Sequence, residues 1–82
     1  MLVETEETHG RMTGDEMRDL RQRLGWGQER LANELELSLS RIGAYERGFT
    51  VGKTARRAPI PKVVELACQL LLIRHASRRG VE

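Results

Sequence analysis

Six bases, Arg41, Arg47, Lys53, Arg56, Arg57 and Lys62, fall within residues 41–62, where Glu46 is the only acid. The chemistry open to such a window is electrostatic. Lys and Arg neutralise and hydrogen-bond the phosphates of a polyanion, the footprint expected for a nucleic-acid ligand. Taken as charge alone, the window reads equally well as a solvated basic face. Residues 1–10 hold three acids and no Lys or Arg, and residues 11–82 are net +5. The window is itself net +5, so it accounts for the whole positive excess. Other chemistries lack their residues. His9 and His75 lie far apart, and Cys68 stands among apolar neighbours. Neither metal-ligand spacing, a phosphate-cradling glycine loop nor a nucleophile–base pair occurs. Cys68 reads as a buried structural thiol. An enzyme, a metal and a cofactor are not expected.

Helices on either side must position this window. Thr13-x-x-Glu16 is a capping box that opens a first helix. Met17, Leu20 and Leu24 follow at helical spacing, and Gly25 ends it. A second helix starts at Gly27 or Gln28 and ends near Leu35, with Leu31, Ala32 and Leu35 as its apolar positions. A third takes Ser38 as N-cap, turns Ile42 and Tyr45 inward and stops at Gly48. Three pairs, Met12 with Met17, Trp26 with Leu31, and Leu37 with Ile42, have the spacing of a hydrophobic staple, which fixes how the chain approaches a helix. Two short helices joined at Glu36-Leu37, with both approaches pinned, describe a helix-turn-helix.

Residues 49–58 form a basic connection containing Gly52. A fourth helix begins around Pro61 and runs to about Ser77. Val63, Val64, Ala67, Leu70 and Leu71 make its apolar stripe. Leu66, Leu72 and Ile73 widen that stripe beyond what one small domain covers, so Leu66, Leu70 and Ile73 are expected to meet a second copy. Arg74, Arg78 and Arg79 suit the end of the helix dipole.

With 82 residues the chain holds one domain at most, and 4% aromatic residues favour helices over an all-β core. The expected fold is an all-α, compact bundle of four to five helices containing a helix-turn-helix. Residues 1–12 would be a flexible acidic tail, 13–77 the domain and 78–82 a frayed end. Met1-Leu2-Val3, followed by Glu4, Glu6 and Glu7, lacks the basic start and apolar run of a signal peptide. A single cysteine suits a reducing compartment, so a cytoplasmic protein without a membrane span is expected.

The segment WGQERLANELELSLSRIGAYERG, residues 26–48, resembles the lambda-repressor-like, Cro/CI-type (Xre-like) helix-turn-helix family. The matching pattern is Gln28, Leu31-Ala32, Leu35, Leu37-Ser38, Ile42 and Glu46-Arg47-Gly48. Residues 17–21 are similar to that family's first helix and 60–71 to a later one. In size the chain resembles compact phage or prophage repressors.

The resemblance implies that the helix over residues 38–47 lies in the major groove of double-stranded DNA and reads bases from its N-terminal half. Leu39, Ser40, Arg41 and Ala44 then face bases. Arg41 is the first choice for a bidentate guanine contact, with a phosphate contact as its other role. Ser40 can donate to a base or a phosphate, and Leu39 and Ala44 can pack on thymine methyls. Gln28, Gly43, Arg47, Lys53, Arg56 and Arg57 fall to phosphate contact, Gly43 by letting the helix approach closely. Three features depart from the family pattern. Glu36 occupies a turn position where glycine is common, Gly43 lies inside the reading helix, and the 49–58 loop is long. The function implied is a dimeric repressor, of its own operon in a phage or prophage setting, on an inverted repeat. The alternative is an antitoxin-like protein that binds its operator and a protein partner through the acidic tail or the fourth helix. A pure protein-interaction module is the third reading, against which the basic window argues.

Overall fold

A computed structural model describes residues 10–81. Four helices follow one another, α1 (Gly14–Leu24), α2 (Gln28–Leu35), α3 (Leu39–Arg47) and α4 (Lys62–Val81). Among the described residues there is no strand, only an isolated antiparallel bridge between Phe49 and Arg57. The all-α expectation holds with four helices, the lower of the two counts. No described helix is long and apolar enough to cross a membrane.

Local chemistry sets the helix ends. Thr13 Oγ1 accepts from the Glu16 N–H at 3.1 Å, and Glu16 Oε1 accepts from the Thr13 N–H at 2.9 Å. Both partners of the capping box are therefore satisfied. Ser38 Oγ does the same for α3, accepting from the Arg41 N–H at 3.0 Å. Gly25 and Gly48 close α1 and α3 in the left-handed region. Glu36 does so for α2, with φ 58° and ψ 40°, and is the one described non-glycine residue with positive φ. The N–H of Leu37 donates to the Ala32 carbonyl at 2.9 Å, so the turn keeps the helix-ending bond pattern even without glycine.

α1 and α2 each pack against both α3 and α4. Met17, Leu31, Ile42 and Cys68, one from each helix, are the largest fully buried side chains and mark the centre of the core. Met12, Trp26 and Leu37 rest against the same cluster as Met17, Leu31 and Ile42, as the staple spacing requires. Gly14 meets the C-terminal end of α3 so closely that a Cβ there would run into the carbonyl oxygens of Tyr45 and Glu46.

The fourth helix starts where expected and differs at its C-terminal end and in part of its apolar face. Pro61 precedes it, its carbonyl accepting from Val64 and Glu65, and the helix continues to Val81 instead of fraying after Ser77. Cys68 is fully buried and sets the inward face. Val64, Leu71 and Leu72 pack against the core beside it, while Val63, expected on the inward stripe, lies outward at 71% exposure, and Leu70, placed both on that stripe and at the contact with a second copy, lies outward at 50%. At the other end of the domain, Gly10 donates its N–H to the Ile60 carbonyl at 3.0 Å and Met12 packs on the core. The tail expected over 1–12 is thus docked from residue 10 onward, and residues 1–9 lie outside the described part.

Candidate nucleic-acid interface

α3 carries a sharp division along its length. Ile42 through Glu46 is buried without a break, whereas Leu39, Ser40 and Arg41 in the first turn and Arg47 in the last are exposed. An exposed first turn with donor, acceptor and apolar side chains can meet base edges. Ala44 cannot share in this. At 5% exposure its side chain is covered by the rest of the fold. Gly43 is buried as well, and Arg47 Nη1 would stand 3.2 Å from a Cβ placed there. The Arg47 side chain covers the backbone that was expected to approach a phosphate.

The burial of α3 is organised by Glu46, whose carboxylate is 2% exposed. Arg21 of α1 grips it in a fork, Nε donating to Oε2 at 2.8 Å and Nη2 to Oε1 at 3.1 Å. Gln28 of α2 donates Nε2 to Oε1 at 3.0 Å, and Arg18 adds its charge at 3.7 Å. Burial pushes the Glu46 pKa up, but the hydrogen bonds from Arg21 and Gln28 and the charges of Arg21 and Arg18 outweigh it and hold the carboxyl below its ordinary value. Arg21 is raised in return, chiefly by its hydrogen bond to Glu46. Arg21 Nη1 also donates to the Trp26 carbonyl at 3.1 Å. One carboxylate thereby fixes three helices. One N–H of the Gln28 amide, the group expected to donate to a phosphate, is engaged in this network.

The connection after α3 folds back on itself. The N–H of Thr50 donates to the Arg56 carbonyl at 2.8 Å, and Thr50 Oγ1 accepts from the Arg56 N–H at 3.0 Å. The N–H of Ala58 donates to the Gly48 carbonyl at 2.9 Å. Together with the Phe49–Arg57 bridge and Gly52 at φ 115°, these bonds make a miniature hairpin. Arg47 Nε donates to the Phe49 carbonyl at 3.3 Å, and its guanidinium lies 6.0 Å from the Phe49 ring centroid. Lys53, Arg56 and Arg57 are exposed on the hairpin.

Charge pairing separates these residues from the cations of α1 and α2. Among the described residues the ion pairs belong to Arg18, Arg21, Arg23 and Arg30, all on α1 and α2. Arg41 and Arg47 on α3 and Lys53, Arg56 and Arg57 on the hairpin take part in none of them. Arg11, Lys62, Arg74 and Arg78 make no ion pair among the described residues either, so what sets residues 41–57 apart is that α3 and the loop leaving it carry exposed cations and none of these pairs. Leu66, Leu70 and Ile73 lie elsewhere, outward on α4 at 53%, 50% and 63% exposure. The burial of Cys68 agrees with its structural reading, and desolvation, aided by the charge of Glu65, pushes its thiol up to about 11.

Glu46, Arg21 and Gly14 had no functional reading from sequence. A signal for the first was present in the basic window, since an acid alone among six bases is either excluded from the ligand surface or buried with partners of its own. Comparison of the chain with protein-family models, curated proteins and solved structures finds no match.

Proposed function

We propose that this protein is a sequence-specific double-stranded DNA-binding transcriptional regulator in which α2 and α3 act as a helix-turn-helix. The observation that carries the reading is the segregation of charge. Every cation on α3 and its hairpin lacks a carboxylate partner, while those of α1 and α2 that flank the core are paired. Such a surface is costly by self-repulsion unless a polyanion meets it. The first turn of α3 enters the major groove, with Arg41 on a guanine, Ser40 on a base edge and Leu39 against a thymine methyl. Arg47, Lys53, Arg56 and Arg57 take flanking phosphates.

Three reading side chains make a short recognition surface, and a second copy doubles it. Val63, Leu66, Leu70 and Ile73 are outward on α4 and spaced three, four and three residues apart. That is the seam by which two helices pack knobs into holes. A homodimer formed on this seam would place two α3 helices on an inverted repeat with half-sites about one turn, ~10 bp, apart. The regulated site is its own promoter in a phage or prophage-type operon, a reading that rests on the resemblance of residues 26–48 to Cro/CI-type repressors. Selection of bound duplexes from random DNA, followed by footprinting at moderate salt, tests the proposal. A palindromic consensus supports it, and recovery of unrelated sequences with no protected site would sink it. A protein monomeric at micromolar concentration that co-purifies with a small partner would favour the antitoxin-like reading, with the same seam holding that partner.

A further inference from the structure

α4 extends well past its contacts with the core, and its last turns bring charge beside α2. Arg74 and Arg78 lie one turn apart and, with His75, line a cavity of about 160 Å³ whose other wall is Trp26, Arg30 and Glu34. Arg30 is already engaged twice. Its Nε donates to Glu34 Oε2 at 3.2 Å, and its guanidinium stands 4.5 Å from the Trp26 ring centroid. Glu34, the one carboxylate on the cavity, is thus neutralised by Arg30. Arg74 and Arg78 make no ion pair among the described residues. Like charges one turn apart on a helix repel, so their placement at the rim of a half-open pocket favours a counter-charge there. The helix dipole accounts for Arg78, three residues before Val81, but its effect fades within the last turn and does not reach Arg74.

We propose that this cavity is a seat for a small phosphate-class oxyanion, with Arg74 and Arg78 donating to its oxygens and Trp26 supplying an apolar wall. Guanidinium groups present forked donors that match tetrahedral oxyanions. The volume equals about five waters at ~30 Å³ each, room for one such ion with part of its hydration shell. It falls below the roughly 300–1,000 Å³ that encloses a drug-sized molecule, so the seat takes inorganic phosphate or the terminal phosphate of a ligand whose remainder stays in solvent. An occupant would brace α2 against α4. The seat uses none of the residues assigned to DNA and stands apart from that reading.

Trp26 is the only tryptophan, so its emission reports on the cavity directly. Titrating the full chain with inorganic phosphate and with pyrophosphate, at ionic strength held constant with sodium chloride, should give a saturable change. Arg74→Gln combined with Arg78→Gln should weaken the apparent Kd at least tenfold with unchanged helical circular dichroism, while Arg23→Gln leaves it as it was. If the double variant loses helix, Arg78→Gln alone should still weaken binding about threefold. A linear response matched by chloride overturns the proposal, as does equal binding by the variants. A short duplex of arbitrary sequence makes a further arm. If the duplex perturbs Trp26 through Arg74 and Arg78 while free phosphate does not, the arginines hold a DNA backbone phosphate and the free-anion seat is overturned.

Discussion

Arg41 stands on the first turn of α3 with its backbone N–H tied to the Ser38 cap and its side chain in solvent. If it reads a guanine, Arg41→Ala should relax preference at one base pair of a selected site and cost about 1–3 kcal/mol there. Equal weakening on every sequence, measured by competition with altered duplexes, would demote it to a phosphate contact. Glu46 is the opposite kind of residue, buried and fully partnered. Glu46→Ala leaves Arg21 facing the interior unpaired, and the expected loss is about 3–5 kcal/mol in urea unfolding. Its pH signature follows from the direction of its shift. The folded pKa lies below the unfolded value of ~4.3, so the stabilisation is fully present above that value. It is lost as pH falls from there through the folded pKa. Wild-type unfolding curves should therefore steepen in pH dependence below about 4.3, and the Glu46→Ala curve should lose that component.

At the scale of elements, the turn between α2 and α3 and the hairpin after α3 each make a separate expectation. Glu36 holds a left-handed backbone that costs a side-chain-bearing residue about 1–2 kcal/mol. Replacing it by glycine removes that cost and adds about 0.5–1 kcal/mol of chain entropy, so Glu36→Gly should be stabilising by up to about 1 kcal/mol. A lowered thermal midpoint would show that the Glu36 side chain has a role the turn geometry does not reveal. The hairpin is a rigid carrier of charge, since its bridge and side-chain bonds hold Thr50 to Arg56 and Gly48 to Ala58. Changing Lys53, Arg56 and Arg57 together to Gln should reduce the slope of log affinity against log salt by about 2.7 per subunit, at ~0.9 per phosphate contact. A slope that does not move would place the hairpin away from DNA.

For the whole molecule, the proposed dimer rests on the seam of outward residues Val63, Leu66, Leu70 and Ile73 of α4. Leu66→Glu with Leu70→Glu places like charges on that seam without touching the buried side of the helix. Sedimentation should then show a dimer converted to a folded monomer, and affinity for an inverted repeat should fall towards that for a half-site. A dimer that survives the change would have to be built from another surface.

The limits of α1, α2 and α3, their caps and the staple pairs were legible in the sequence, because each depends on residues within four or five positions of one another. Thr13 with Glu16, Ser38, and Gly25 and Gly48 act through local backbone geometry that no distant contact overrides here. The basic window was legible too, as was the fate of Cys68, since a thiol among apolar side chains follows them inward. The inward faces of α1, α2 and α3 were legible as well, in Met17, Leu20, Leu24, Leu31, Ala32, Ile42 and Tyr45, but which of the remaining positions the fold covers was not. Ala44 and Gly43 lie off the stripe of Ile42 and Tyr45, and only the folded structure shows them buried, Gly43 with the Arg47 side chain beside it. Gln28 carries an amide that suits a phosphate or a carboxylate equally well, and the carboxylate it meets is 18 residues away. The rotation of α4 was settled in the same way, by Cys68 meeting the core, which sent Val63 and Leu70 outward beside Leu66 and Ile73. Local chemistry determined where helices begin and end, and the tertiary structure alone decided which of their residues remain free to meet a ligand.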